Sequence, residues 1–543
     1  MEKKESDLRS EINRLMSRIA GILALALLFV FPIYVEDRYA NILRAKYRFY
    51  YLCVLIALGL VLILALVFAF IDFLEYRGNH VKAYFTRLTP KNWKNNFTLY
   101  EGALICFMLA AVISALQSEY FYESVWGNEG RYSGTFLLLV YGVSVLLIGR
   151  LLRFKQWYLE AFLVSSLLVC LFGITDYFRL DVMGFKKGLA WGASDIFTST
   201  FGNINTYTAF AALPIGVAAV LYTMADTTKK AAWYYICTII FLTAGITGQS
   251  DNIYLTLAVV FGFLPFYAFG TKKGIRRYVL LLAALFTVIR VLGFVDMAMK
   301  GPDRGQVIGL GGPARMLGYF SGTTAIAAAL WLMAAGIYWW ERKKSQTCHV
   351  GKWPRRLWGG FVISVIAVIL GVLYDANVAG NSARYGALSN YVIFNDSWGT
   401  DRGFAWRFAM ELYDRFPLMH KLFGYGPDTF GILTTRYTGS TAAKMYEELG
   451  VIYDSVHNAY LQYLVTIGSI GLTVYMLFLT SAITWMVRTA RKSPAVMACV
   501  FAVACYCGQA VVNIDLPAVT PAFWTILAVG AAAVRAETEK TGA

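Results

Sequence analysis

Apolar runs recur along almost the whole chain, many of them 18 residues or longer, with polar breaks between them. A run of that length crosses about 30 Å of hydrocarbon as a helix. Fourteen spans are predicted, centred near residues 27, 62, 107, 142, 166, 214, 240, 262, 286, 330, 366, 474, 503 and 526. The breaks sort by charge. Lys and Arg crowd into 74–96, 150–155, 226–230, 271–277, 341–356 and 488–493. With a cytoplasmic N-terminus and alternating spans, all six fall inside, as basic short loops do. Segment 36–50 runs against this, because it falls outside yet carries Arg38, Arg44, Lys46 and Arg48. The pattern predicts an all-α polytopic membrane bundle with both termini cytoplasmic.

The expected organisation is a cytoplasmic leader (1–18), two additional spans (19–96), a first part of the membrane core (97–375), a large extracytoplasmic loop (376–460), the C-terminal spans (461–535) and a cytoplasmic tail (536–543). The leader is long, charged and amphipathic, unlike the short positive lead of a cleaved signal peptide, so the first apolar run reads as a retained span. The loop of about 85 residues is far longer than a connector. Within it Phe404, Phe408, Leu412 and Phe416 recur every fourth residue, which predicts a helix with one apolar stripe lying on the membrane surface. Pro417, Gly424 and Gly426 end that pattern in a turn.

Composition agrees with the pattern. The chain is 58% hydrophobic and only 15% charged, with a mean hydropathy of +0.55. The formal charge of +16 resides in the short inside loops, which points to topology and lipid contact rather than nucleic acid. Seven of the eight cysteines fall in apolar runs, and they form neither a disulfide framework nor a zinc pattern. Walker, dinucleotide, HExxH and GxSxG motifs are absent.

Candidate chemistry gathers outside. Of four histidines, only His420 and His457 fall on the outer side, and His457 sits where the long loop meets a span. A neutral imidazole there can take a proton near pH 7, although a solvated boundary histidine has the same position. Arginines are unexpectedly frequent outside: Arg131, Arg315, Arg384, Arg402, Arg407, Arg415 and Arg436. Guanidinium forks bind phosphate oxygens in pairs. Arg407 has Glu411 four residues on, so a surface ion pair competes with ligand binding there. Arg402 has only the adjacent Asp401, which does not face it on a helix, and is the stronger candidate.

The order of "GNEGRYSG" (127–134), "FGNINTYTAFAALPIG" (201–216), "DRGFAW" (401–406), "PLMHKLFGYGPDTF" (417–430) and "HNAYLQYLVTIGSIGL" (457–472) resembles the O-antigen ligase and polymerase superfamily of bacterial membrane glycosyltransferases, over residues 97–530. The resemblance implies a GT-C-like membrane fold. It implies transfer of a glycan from undecaprenyl diphosphate to an acceptor hydroxyl on a glycan, lipid or protein, at the outer face of the cytoplasmic membrane, without metal or other cofactor. By the same resemblance His457 activates the acceptor and Arg402 stabilises the departing diphosphate, with inversion at the anomeric carbon. Arg407, Arg131, Arg315, Asn458 and Asn205 are expected to bind substrate. Members often carry Ser-Arg in the outer turn that here reads "GQSDNIYL" (248–255), where Asp251 and Asn252 stand instead. Arg131 or Arg315 is expected to replace that arginine. A lipid-linked oligosaccharide flippase and a non-catalytic scaffold are the competing classes. Against a transporter, the spans are nearly free of charge and no half-repeat is visible.

Overall fold

The computed structural model describes residues 2–87, 89–300, 305–343, 350–436, 445–447, 450 and 452–541. All fourteen predicted span centres fall inside helices. Eleven of these helices are long and apolar enough to cross a membrane, and Thr135–Leu151 and Asn252–Ala268 are shorter apolar helices. The fourteenth, Thr520–Thr541, ends in the charged run "RAETEKT". Among the described residues the only sheet is a pair of two-residue strands, Phe197–Thr198 and Gly202–Asn203. The protein is thus an all-α polytopic membrane bundle.

Burial divides the helices into a centre and a rim. In Ile204–Met224, 89% of the apolar window is buried, and in Pro494–Val512, 72%. Both are rich in Ala and other small residues, so their backbones approach closely. A Cβ on Gly216 would lie 2.7 Å from the Ala502 nitrogen, which fixes a glycine at that crossing. By contrast, none of the window of Trp353–Asn377 and 11% of that of Ile42–Tyr76 is buried. Their apolar surfaces remain outside the protein core, as lipid-facing helices require.

Lys46 accounts for one of the four cations in the basic segment that ran against the charge pattern, whereas Arg38, Arg44 and Arg48 are exposed. It is fully buried, and its Nζ donates to the carbonyls of Phe31 (2.8 Å) and Pro32 (3.1 Å) at the end of the first span. The ammonium also lies over the rings of Phe31 and Phe201. A cation that closes a helix C-terminus satisfies orphan carbonyls and carries no topological signal.

The long loop folds onto one end of the bundle as a cap. Trp398–Arg415 is helical, but its stripe does not lie on a membrane surface. Phe404, Phe408, Leu412 and Phe416 are buried in a second core with Tyr120, Tyr425, Phe430, Leu433 and Val456. The stripe finds its apolar partners within the cap, which removes the need for lipid. The cap is keyed into the bundle at Gly468, which interrupts the Ala459–Ala490 helix with φ 74° and ψ 180°. The interruption frees the carbonyls of Val465 and Thr466, which accept from Tyr425 N (3.4 Å) and Gly426 N (2.9 Å). A side chain at Gly468 would collide with the backbone of Leu422 and Phe423.

Candidate functional site

Arg402 is set by an irregular helix start. Gly399, Thr400 and Asp401 all have left-handed backbone, at φ 63°, 61° and 63°. Such strain at non-glycine residues costs on the order of 1–3 kcal/mol each and collects at functional sites. It aims the Arg402 side chain back over the turn, where one terminal nitrogen donates to the Gly399 carbonyl at 2.8 Å. The buried Nε has no partner among the described residues. Burial presses this guanidinium below its ordinary value, and the negative field of Asp251 opposes it.

His457 is likewise held by its neighbours. Its φ is 54°, the left-handed region. Asn458 follows as the N-cap of Ala459–Ala490, with its side-chain oxygen accepting from Tyr460 N and Leu461 N, both at 3.0 Å. Gln462 Oε1 accepts from Val456 N at 2.9 Å on the other side. The imidazole meets the Tyr453 ring edge-on at 5.7 Å. Its ring nitrogens make no hydrogen bond to the described residues. Burial, then the positive charges of Arg402 and Arg131, press it down to about 4, and Asp454 opposes them. The imidazole is therefore neutral at physiological pH and free to accept a proton.

Arg131 and its partners close the site on a second side. Its guanidinium grips Asp454 in two-point fashion at 2.8 and 2.5 Å. Burial would raise the Asp454 carboxyl, but Arg131 holds it below its ordinary value. The same "GNEGRYSG" loop turns at Gly127 (φ 84°) and presents two amides to a neighbouring carboxylate. Asn128 N and Ser133 N both donate to Asp428 Oδ2, at 2.7 and 3.2 Å. Burial pushes the Asp428 carboxyl up to about 7 against these donors. Three of the stretches singled out in the sequence, around 131, 428 and 457, thus meet at one place.

Beside Arg402 opens a cleft of about 840 Å³, lined by Asp251, Tyr254, Tyr391, Trp398, Arg402 and Trp406 among others. Phe394, Trp398 and Trp406 form its aromatic wall, with successive ring centroids 4.9 and 5.1 Å apart.

The remaining sequence candidates fall elsewhere. Arg407 lies on the exposed face, paired with Asp396 at 2.9 and 2.7 Å and with Glu411 at 2.6 Å. Arg315 is exposed in Gly312–Tyr319 and stacks on Tyr319 at 5.4 Å. Asn205 sits in an amide cluster: its Oδ1 accepts from Ser250 at 2.6 Å, and its carbonyl accepts from Asn252 and Asn513. His420 is a fold element, contacting the Gly424 carbonyl at 2.9 Å and stacked on Tyr425. His349 lies outside the described residues. Asp251, Tyr453 and Asp454 were not among the predicted site residues. The signal for Asp454 was its place three residues before His457, and for Asp251 its departure from the expected turn.

The fold and site together are those of a polytopic membrane protein with a folded cap and an aromatic cleft beside Arg402. The comparisons agree. Residues 314–476 match the family described as O-antigen ligase, a stretch that runs from the edge of the cleft through Arg402 and His457. This match, over less than a third of the chain, supports a likeness to the O-antigen ligase/polymerase superfamily and suggests a glycosyltransferase-like activity. No curated protein matches the sequence.

Proposed function

We propose that the protein transfers a glycan from undecaprenyl diphosphate to an acceptor hydroxyl, as an O-antigen ligase. The observation that carries this reading is the shared field of Arg402 and His457: a buried guanidinium with a free Nε whose charge reaches an imidazole held neutral. The acceptor oxygen attacks the anomeric carbon and its proton passes to His457. The bond from that carbon to the diphosphate oxygen breaks, and Arg402 stabilises the charge gathering there. A single displacement inverts the anomeric centre and needs no metal.

The two groups help each other. A diphosphate arriving at Arg402 offsets the positive charge that depresses His457. Its imidazole then becomes more basic when donor is bound, which is when a base is needed. The cleft is read as extracytoplasmic and both termini as cytoplasmic, because the basic short loops then lie inside. Arg131 acts on His457 through charge, whereas Arg407, Arg315, Asn458 and Asn205 are read as supporting the fold or binding glycan at a distance from the reacting atoms.

The test uses purified protein in proteoliposomes with a lipid-linked glycan donor and its acceptor. Wild-type protein is expected to form covalent product and release the lipid diphosphate. Arg402→Gln is expected to lose this. Movement of the lipid across the bilayer without covalent product would contradict the reading and favour transport. Product that grows by repeat units would assign the same site to a polymerase.

A further inference from the structure

The residue that shares the cleft lining with Arg402 as its other charge is an acid. Among the described lining residues, Asp251 and Arg402 alone carry formal charge. Each feels the other's field, yet they form no ion pair. Asp251 stands at the N-cap of Asn252–Ala268, where an aspartate ordinarily accepts from the first turn of its own helix. Asn203, Thr227, Thr271 and Asn458 do this in their helices. Asp251 does not, and its carboxylate turns to the cleft instead.

The surroundings leave that carboxylate open. Gly312 of the "GLGGP" stretch faces it, and a Cβ there would lie 2.7 Å from Asp251 Oδ1 and 3.2 Å from the Tyr391 hydroxyl. The Tyr254 hydroxyl is already engaged, accepting from Ala314 N at 2.8 Å. The aromatic wall of Trp398 and Trp406 offers flat faces to the C–H side of a sugar ring. A cleft of this kind orients its ligand by a few polar groups set in an aromatic lining. With the diphosphate on Arg402, the carboxylate is left for the sugar.

We propose that Asp251 reads the first sugar of the donor: its carboxylate accepts hydrogen bonds from that sugar's hydroxyls, so the cleft takes a glycosyl diphosphate whose first sugar is uncharged and rejects one whose first sugar is a uronic acid. This rests on the reading that Arg402 holds the diphosphate. Ionised acceptors make the stronger hydrogen bonds to hydroxyls, and a second carboxylate brought beside Asp251 meets like-charge repulsion.

The experiment measures binding of three synthetic probes to purified wild-type, Asp251→Asn, Asp251→Ser and Arg402→Gln proteins by calorimetry. The probes are citronellyl diphosphate, its glucosyl derivative and its glucuronosyl derivative. Wild-type protein is expected to prefer the glucosyl over the glucuronosyl probe by about tenfold or more, the scale of one unfavourable charge contact. In both Asp251 variants the preference should shrink to within about twofold, while bare citronellyl diphosphate binds at least as tightly as to wild type, because a negative charge near Arg402 is gone, and this binding also reports an intact fold. A preference that survives in both variants, or is absent in wild type, overturns the role of Asp251. Undiminished binding of all three probes to Arg402→Gln overturns the diphosphate reading instead.

Discussion

Two arginines flank His457, and they differ in what they hold. Arg131 is neutralised by Asp454 in a two-point pair, beside a small recess of about 40 Å³. Arg402 has one bond to a backbone carbonyl, a free buried Nε and an open cleft of about 840 Å³. Both charges depress the histidine. Arg402, which no carboxylate pairs, is left with the greater capacity for an anionic ligand. Residue type and side of the membrane did not separate the two, whereas the partner did.

The strongest way to break this comparison is to remove the open arginine. Arg402→Gln should lower transfer by about 10²–10³, the range for losing one preorganised charge at a leaving group. A rate within a few-fold of wild type would make the two arginines equivalent. His457→Ala should cost about 10²–10⁴, as expected for a general base. In wild type the acid limb of kcat/KM belongs to the free enzyme, so activity should be lost only as pH falls through about 4.

Gly468→Ala separates cap from bundle. The left-handed glycine and its contact with the Leu422 backbone leave no room for a methyl. Detergent-solubilised protein should lose several degrees of Tm, from strain on the order of 1–3 kcal/mol. Arg131→Gln sharpens the contrast more finely. Its pair is partly exposed, with 23% and 56% of the two side chains open, so a double-mutant cycle with Asp454→Asn should show about 0.2–1 kcal/mol of coupling. The acid limb should move upward, because one depressing charge is gone and Asp454 is released to favour the imidazolium. The smallest effect belongs to Arg407→Ala, expected to leave transfer within about twofold, since its partners are surface carboxylates.

The bundle was legible because hydrophobic periodicity and loop charge are local properties. Every predicted centre lies in a helix, and the Arg407–Glu411 pair followed from spacing alone. Contacts between distant stretches were not legible in this way. Asp454 lies 323 residues from Arg131 and claims its guanidinium. Lys46 looked like a misplaced topological charge because its acceptors, the carbonyls that end another helix, are invisible to a count of lysines. The stripe from Phe404 to Phe416 was read as lipid-facing because its partners, such as Tyr120 and Val456, come from elsewhere in the chain. The motif order brought His457 and Arg402 forward together. The carboxylate in the cleft lining entered only as an exception to that order.

The most direct measurement compares cells carrying wild-type protein with cells carrying His457→Ala at equal expression, sizing both lipid-linked and surface glycans on gels. The account predicts that the variant accumulates lipid-linked glycan and loses surface product. Long chains or finished glycans on the lipid would mark a ligase, and single repeat units a polymerase. Two glycan pools that match wild type would contradict the account and reduce His457 to a boundary histidine.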